Sequence, residues 1–134
     1  MDFGRARRHM VDRQIRARGV VDPRVLGAVE AVPRHEFLPP ELQEFAYQDN
    51  PLPIGEGQTI SQPYVVALMA EAMEIRPGDR VLEVGAGSGY AAAVLSHLAG
   101  TVHAGERHRT LAEEARSRLQ RLGLSHVHVH HGDG

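Results

Sequence analysis

The spacing of apolar positions changes character at residue 48 and again at Arg76. Over residues 3–18, Met10, Val11, Ile15 and Ala17 punctuate six arginines, and Gly19 follows. This predicts a polar helix with a narrow apolar stripe and a glycine stop. Asp22-Pro23 reads as an N-cap with proline at the first helical position. Val25, Leu26 and Val29 then fall on one side, and Pro33 ends the element. Pro39-Pro40 open a short helical stretch, Glu41 to Tyr47. Residues 48–60 lose periodicity: Asp49-Asn50-Pro51-Leu52-Pro53-Ile54-Gly55-Glu56-Gly57 is rich in turn formers and predicts an ordered loop. Ser61 is a good N-cap for a following helix that tolerates Pro63 in its first turn. Val65, Leu68, Met69, Ala72 and Met73 repeat along it at helical spacing.

From Arg76 the pattern alternates between strand and helix. Val81-Leu82-Glu83-Val84 is a short strand, Gly85-Ala86-Gly87-Ser88-Gly89 a glycine loop, and Tyr90 to Ala99 an alanine-rich helix stopped by Gly100. Thr101 to Gly105 is a second strand. Thr110 and Glu113 could form a capping box for a helix running through Leu122 and closed by Gly123. His126 to His131 is a third strand, with Val127 and Val129 on one face. The order β-α-β-α-β implies a parallel sheet with right-handed crossovers. The fold class is therefore α/β, the first three strands of a doubly wound Rossmann-like sheet preceded by a helical N-terminal region. The division expected is 1–78 for that region and 79–134 for the sheet.

Composition narrows the function. The 134 residues are 42% hydrophobic and 24% charged, with a net charge of -2. That is a globular profile without the basic excess expected of a nucleic-acid binder. Cysteine is absent, which excludes disulfides and thiolate metal sites. No apolar run approaches the roughly 20 residues of a membrane span, and no apolar stretch follows the first residues as in a secretory signal. The expectation is a cytoplasmic protein. All fifteen basic residues are arginine, which reads as compositional bias rather than phosphate recognition.

Glycines between a strand and a helix let the backbone approach a ligand, and the helix start offers free N–H groups. The spacing here is G-x-G-x-G rather than the dinucleotide G-x-G-x-x-G. Glu106 ends the next strand, 21 residues after Gly85, where an acid can accept hydrogen bonds from ribose hydroxyls. The third strand ends in Gly132-Asp133-Gly134, so three strand ends converge on one crevice. Glu83, inside the first strand, either orders the glycine loop through backbone N–H groups or faces a cationic part of the ligand.

Val81 to Tyr90 resembles the first motif of class I methyltransferases. Pro51-Leu52-Pro53-Ile54-Gly55-Glu56-Gly57-Gln58-Thr59-Ile60-Ser61-Gln62-Pro63-Tyr64 is more specific: it is similar to the loop that distinguishes protein-L-isoaspartate O-methyltransferases. Arg34-His35-Glu36-Phe37-Leu38-Pro39 and Ala46-Tyr47 match that family's N-terminal region as well. Ala86 and Ala91 depart from the residues usual there, threonine or serine and glutamine. The resemblance implies S-adenosylmethionine as cofactor and methylation of the free carboxylate of L-isoaspartyl residues in damaged proteins or peptides. The resulting ester collapses to a succinimide, which permits repair. It further implies Ser61 as the active-site serine, with Gln58, Thr59 and Ile60 also bordering cofactor and substrate. Gly85, Ala86 and Gly87 would face the methionine portion, Glu106 the ribose hydroxyls, Arg107 the adenine, and Asp133 and Gly134 the adenine edge.

Other readings stand beside this one. A related methyltransferase acting on an ordinary peptide aspartate would share every motif. The family continues beyond Gly-Asp-Gly, so a truncated, non-catalytic cofactor-binding fragment is the alternative from another class. On either account the chain alone is expected to be incomplete as an enzyme. His126, His128 and His130 alternate on one strand and so share a face. A zinc or nickel site there competes with a plain polar edge, and with no carboxylate evident to support the ligands the expectation is no metal.

Overall fold

The structure, a computed structural model, describes residues 2–132. The arginine-rich segment is helical but not uniform. Helix α1 (Phe3–Met10) starts where the Asp2 side chain accepts the Arg5 N–H at 3.0 Å. It widens into a π-type stretch over Val11–Ile15, tightens over Arg16–Arg18, and stops at Gly19 with φ +104°. Met10, Val11 and Ile15 are buried, whereas Ala17 faces solvent. Helix α2 (Pro23–Ala31) has the expected cap, Asp22 accepting from Arg24 N–H at 2.9 Å. Two 3-10 segments follow, Arg34–Phe37 and Pro40–Phe45.

Residues 48–60 depart from the expectation of a loop. Strands β1 (Leu52–Gly55) and β2 (Gln58–Ile60) form an antiparallel hairpin with Leu52 opposite Ile60. Gly55, Glu56 and Gly57 all take positive φ to turn the chain. The strands are too short to show alternation, and Pro53 argues against a strand except at an edge. Helix α3 (Pro63–Ala72) is capped at Gln62 rather than Ser61, with no side-chain cap bond. Its predicted stripe also lies outward: Val66, Ala67 and Ala70 are buried, while Val65, Leu68, Met69, Ala72 and Met73 are exposed.

The α/β part matches its pattern closely. Strands β3 (Arg80–Val84), β4 (Thr101–Glu106) and β5 (Val127–His131) pair in parallel in the order β3-β4-β5. Helix α4 (Tyr90–Ser96) joins the first two strands and α5 (Arg109–Arg121) the last two. Helix α5 is preceded by His108 without a side-chain cap, so Thr110 and Glu113 form no capping box. Val81, Val102, Ala104, Val127 and Val129 are buried on the helix-covered face. On the opposite face Leu82 and Val84 are 73% and 75% exposed, and β3 leaves one hydrogen-bonding edge unpaired among the described residues.

One continuous core runs from Met10 to Val129. Arg24 ties the N-terminal region to the sheet layer, donating to the carbonyls of Ile75 at 2.7 Å and Leu98 at 2.9 Å. No helix among the described residues is long and apolar enough to cross a membrane.

Candidate active site

The crevice begins where β3 gives way to the glycine loop. Gly105 O accepts both Gly85 N–H at 2.8 Å and Ala86 N–H at 2.9 Å, pinning the loop to the end of β4. Gly85, Gly87 and Gly89 have φ of +87°, +54° and +93°, a region that side chains with a Cβ enter only at a cost. At Gly89 an added Cβ would also lie 3.2 Å from the Cβ of Ala115. The third glycine thus lets α5 pack against the start of α4, while the first two shape the loop.

The hairpin folds back over this loop. Ile54 Cδ1 would lie 3.5 Å from a Cβ on Gly87, and the Glu56 carboxylate is 3.7 Å from Nδ1 of His108, the residue just before α5. Thr59, Ile60 and Ser61 thereby come opposite Gly85, Ala86 and Gly87 across a cavity of about 70 Å³, which Glu83 and Tyr90 also line. From Ser61 a broader cleft of about 380 Å³ runs between α3 and the open edge of β3.

The two acids at this crevice have distinct surroundings. Glu106 is buried, and both its oxygens accept backbone N–H groups at 2.9 Å, Oε1 from Gly87 and Oε2 from His108. It therefore does the loop-ordering that the sequence offered to Glu83. A carboxylate has about four acceptor positions, so both oxygens retain a free lone pair. Glu83 Oε1 is buried with no hydrogen-bond partner among the described residues. Burial, and secondarily the nearby charge of Glu106, push its pKa up from 4.5 to about 8. The Glu83 carboxyl is mostly protonated at neutral pH while no cation stands beside it.

Ser61 sits at the exit of β2 with its side chain exposed, and not being the helix N-cap it has no capping bond to make. Its backbone carbonyl accepts from Arg34 Nη2 at 2.9 Å. Sequence reasoning assigned Arg34 no role, because nothing in its spacing separates a buried arginine from a surface one. Tyr90, the last residue of the segment that resembles the methyltransferase motif and the first of α4, is buried in the cavity wall.

The remaining expected residues are distributed differently. Gln58 is exposed, reaches the Glu56 carbonyl at 3.4 Å, and does not line the cavity. Arg107 is exposed beside His108. Asp133 and Gly134 lie outside the described residues. The histidine alternation holds only in part. His128 and His130 are exposed, with His103 Nδ1 2.9 Å from His130 Nε2, but His126 precedes β5 and its Nε2 is 2.8 Å from the Ser96 carbonyl. His126 lies before the first paired residue of β5, so the two-residue alternation of the strand does not reach it. Among the described residues no group of three or more His, Asp or Glu side chains is arranged to hold a metal ion.

The family model described as protein-L-isoaspartate(D-aspartate) O-methyltransferase matches residues 5–134. The protein-L-isoaspartate O-methyltransferase of Roseiflexus sp. strain RS-1 is 58% identical over 134 residues, which are all of this chain and 61% of that protein. That of Methylorubrum extorquens strain PA1 is 59% identical over 133 residues, 99% of this chain and 58% of that protein. The chain thus spans about three fifths of the length of these curated relatives. A solved protein-L-isoaspartate O-methyltransferase superposes with a TM-score of 0.82 at 35% identity, covering 95% of this chain and 42% of that one. A structure from Plasmodium falciparum, described as a complex with S-adenosyl-L-homocysteine, gives a TM-score of 0.80 at 24% identity over 94% of this chain and 62% of that one, and supports the fold.

Proposed function

The chain belongs to the protein-L-isoaspartate(D-aspartate) O-methyltransferase family, and we propose that it supplies the cofactor crevice and the serine wall for methyl transfer from S-adenosylmethionine to the free carboxylate of L-isoaspartyl residues. The observation that carries this reading is the apposition of Thr59, Ile60 and Ser61 to Gly85, Ala86 and Gly87 across one cavity. The same apposition would serve a methyltransferase for ordinary aspartate, and the specific hairpin sequence favours the isoaspartyl reading. On this reading the protein works in the cytoplasm on damaged proteins or peptides.

The residues present suit the cofactor. Glu83 offers an unpartnered buried carboxyl oxygen on the cavity wall, the complement of a cationic ligand group. The glycines bring bare backbone to the same cavity. When bound, S-adenosylmethionine supplies a methyl group activated by a sulfonium leaving group. Glu83 would then ionise to balance positive charge on the ligand, and Glu106, which keeps the loop in register, would offer its remaining lone pairs to the ribose hydroxyls. Gln58, Arg107, Asp133 and Gly134 complete the cofactor's surroundings in this proposal. A substrate carboxylate is already ionised at neutral pH, so no strong general base is required. Ser61 has its hydroxyl free to orient that carboxylate, and the hairpin excludes water. Alignment of the reacting groups is the principal catalytic contribution.

The test is labelled methyl transfer by the protein at its natural full length to matched isoaspartyl and aspartyl peptides. Transfer to the isoaspartyl peptide alone is expected. Ser61→Ala should lower turnover at least tenfold with little change in melting temperature, since Ser61 caps no helix. Equal transfer to both peptides would select the aspartate reading, and no transfer to either would reject both.

A further inference from the structure

Arg34 is fully buried, yet no carboxylate lies within ion-pair distance of it among the described residues. Its charge is met by carbonyl oxygens and an aromatic face instead. Nε donates to Ala46 O at 2.7 Å and Nη2 to Ser61 O at 2.9 Å. The guanidinium carbon lies 4.7 Å from the centre of the Tyr90 ring, a cation–π distance. Phe37, three residues on from Arg34, holds the same ring edge-on at 5.7 Å. Among the described residues, the Arg34 Nη1 and Tyr90 Oη atoms are both buried and make no hydrogen bond of ordinary geometry.

A buried cation with an unsatisfied donor is a poor choice for packing alone. What arginine provides over an apolar residue is a rigid planar fork that fixes the angle between the groups it contacts. Those groups belong to opposite walls of the cavity. Ser61 ends the hairpin wall, and Tyr90 begins α4 directly after the glycine loop.

We infer that Arg34 is a positioning residue: its guanidinium holds the Ser61 carbonyl at a set distance from the Tyr90 ring and so sets the gap between the serine wall and the glycine-loop wall. The catalytic consequence rests on the methyl-transfer reading above, whereas the geometric tie does not. Displacements of about 1 Å at a reacting centre can lower rates by roughly 100-fold. Loss of this fork therefore acts on turnover through Ser61 although Arg34 touches no substrate.

The experiment uses the protein at its natural full length with Arg34→Gln and Arg34→Lys, alone and combined with Ser61→Ala. Hydrogen exchange followed by mass spectrometry reads the tie without activity. In Arg34→Gln, peptides over residues 58–64 and 85–92 should exchange at least tenfold faster, with α5 and β5 unchanged. Arg34→Lys keeps the charge and an ammonium donor but loses the planar fork; it is expected to fold and should show a smaller increase in the same two regions. Turnover on the isoaspartyl peptide should fall 10- to 100-fold in Arg34→Gln and recover in part in Arg34→Lys. In the Ser61→Ala background the same change should cost less than twofold, because the wall it positions no longer carries the hydroxyl. Unchanged exchange at 58–64 and 85–92 in both variants, or acceleration spread evenly over the chain, overturns the inference whatever the activity. Fully additive rate losses with Ser61→Ala overturn action through Ser61. A parent protein inactive on both peptides rejects the methyl-transfer reading, and the exchange result then decides the tie by itself.

Discussion

Gly87 donates its backbone N–H to Oε1 of Glu106 at 2.9 Å, joining the middle of the glycine loop to the end of the neighbouring strand. The other oxygen of the same carboxylate takes the His108 N–H at the entrance to α5. One buried side chain thus orders both the loop and the turn that border the crevice.

Removal of that carboxylate should loosen the loop as well as any ligand it holds. Glu106→Ala is expected to weaken S-adenosylmethionine or S-adenosylhomocysteine binding by about 1.5–3 kcal/mol, the range for hydrogen bonds to a charged acceptor. Isothermal titration measures it, and the melting temperature should fall at the same time. Unchanged affinity would remove Glu106 from the cofactor site.

Glu83 should make stability depend on pH. Its folded-state pKa of about 8 stands above the ordinary value of 4.5, so between these values the folded form holds a proton that the unfolded chain releases. The favourable contribution is therefore full below about pH 4.5, declines as pH rises toward 8, and levels off above it. Glu83→Gln stays neutral throughout. Its stability relative to the parent should grow across that window, with a limiting slope of about 1.4 kcal/mol per pH unit. Urea titrations of both proteins at pH 5, 6.5 and 8 test this, and parallel curves would contradict it.

A bound cation should draw the proton off Glu83. Cofactor binding near pH 7 is then expected to release close to one proton per site, measured by calorimetry in buffers of different ionisation enthalpy. The release should vanish in Glu83→Gln.

Gly89→Ala should be more damaging than a change of one methyl suggests. The residue keeps φ at +93°, and its new Cβ would press on Ala115 at 3.2 Å. A loss of about 1–3 kcal/mol is expected from backbone strain and contact together. Equilibrium denaturation checks it, and a loss below a few tenths would mean that α5 moves aside without resistance.

Residues 1–134 produced in isolation should self-associate and transfer little methyl. Leu82 and Val84 are 73% and 75% exposed beside the edge of β3 that is unpaired among the described residues, and Met69 on α3 is 60% exposed across the adjacent cleft. Apolar strand edges of this kind pair with other chains. Light scattering after size exclusion should show mass rising with concentration, and Leu82→Lys should reduce it. A monodisperse monomer active on an isoaspartyl peptide would refute the expectation.

Much of this protein was legible wherever the cause is local. The Asp22-Pro23 helix start, the stop at Gly19, the three parallel strands and the glycine loop each follow from conformational preferences or periodicity within a few residues. The specific segment from Pro51 to Tyr64 also points to the family by its sequence alone. Tertiary structure decided what depends on partners distant in the chain. The hairpin in residues 52–60 is held by cross-strand pairing that three- and four-residue strands do not announce. Helix α3 carries apolar residues on its exposed as well as its inner side, so only its packing against α2 and the Val11–Ile15 segment selects Val66, Ala67 and Ala70 as its buried face. Sequence placed two acids near one crevice. The direction each carboxyl takes across the β3–β4 register made Glu106 the organiser of the loop and left Glu83 the unpaired acid. Arg34 is the extreme case: an arginine's hydropathy predicts exposure, and only the convergence of Ala46, Ser61 and Tyr90 around it makes burial tolerable.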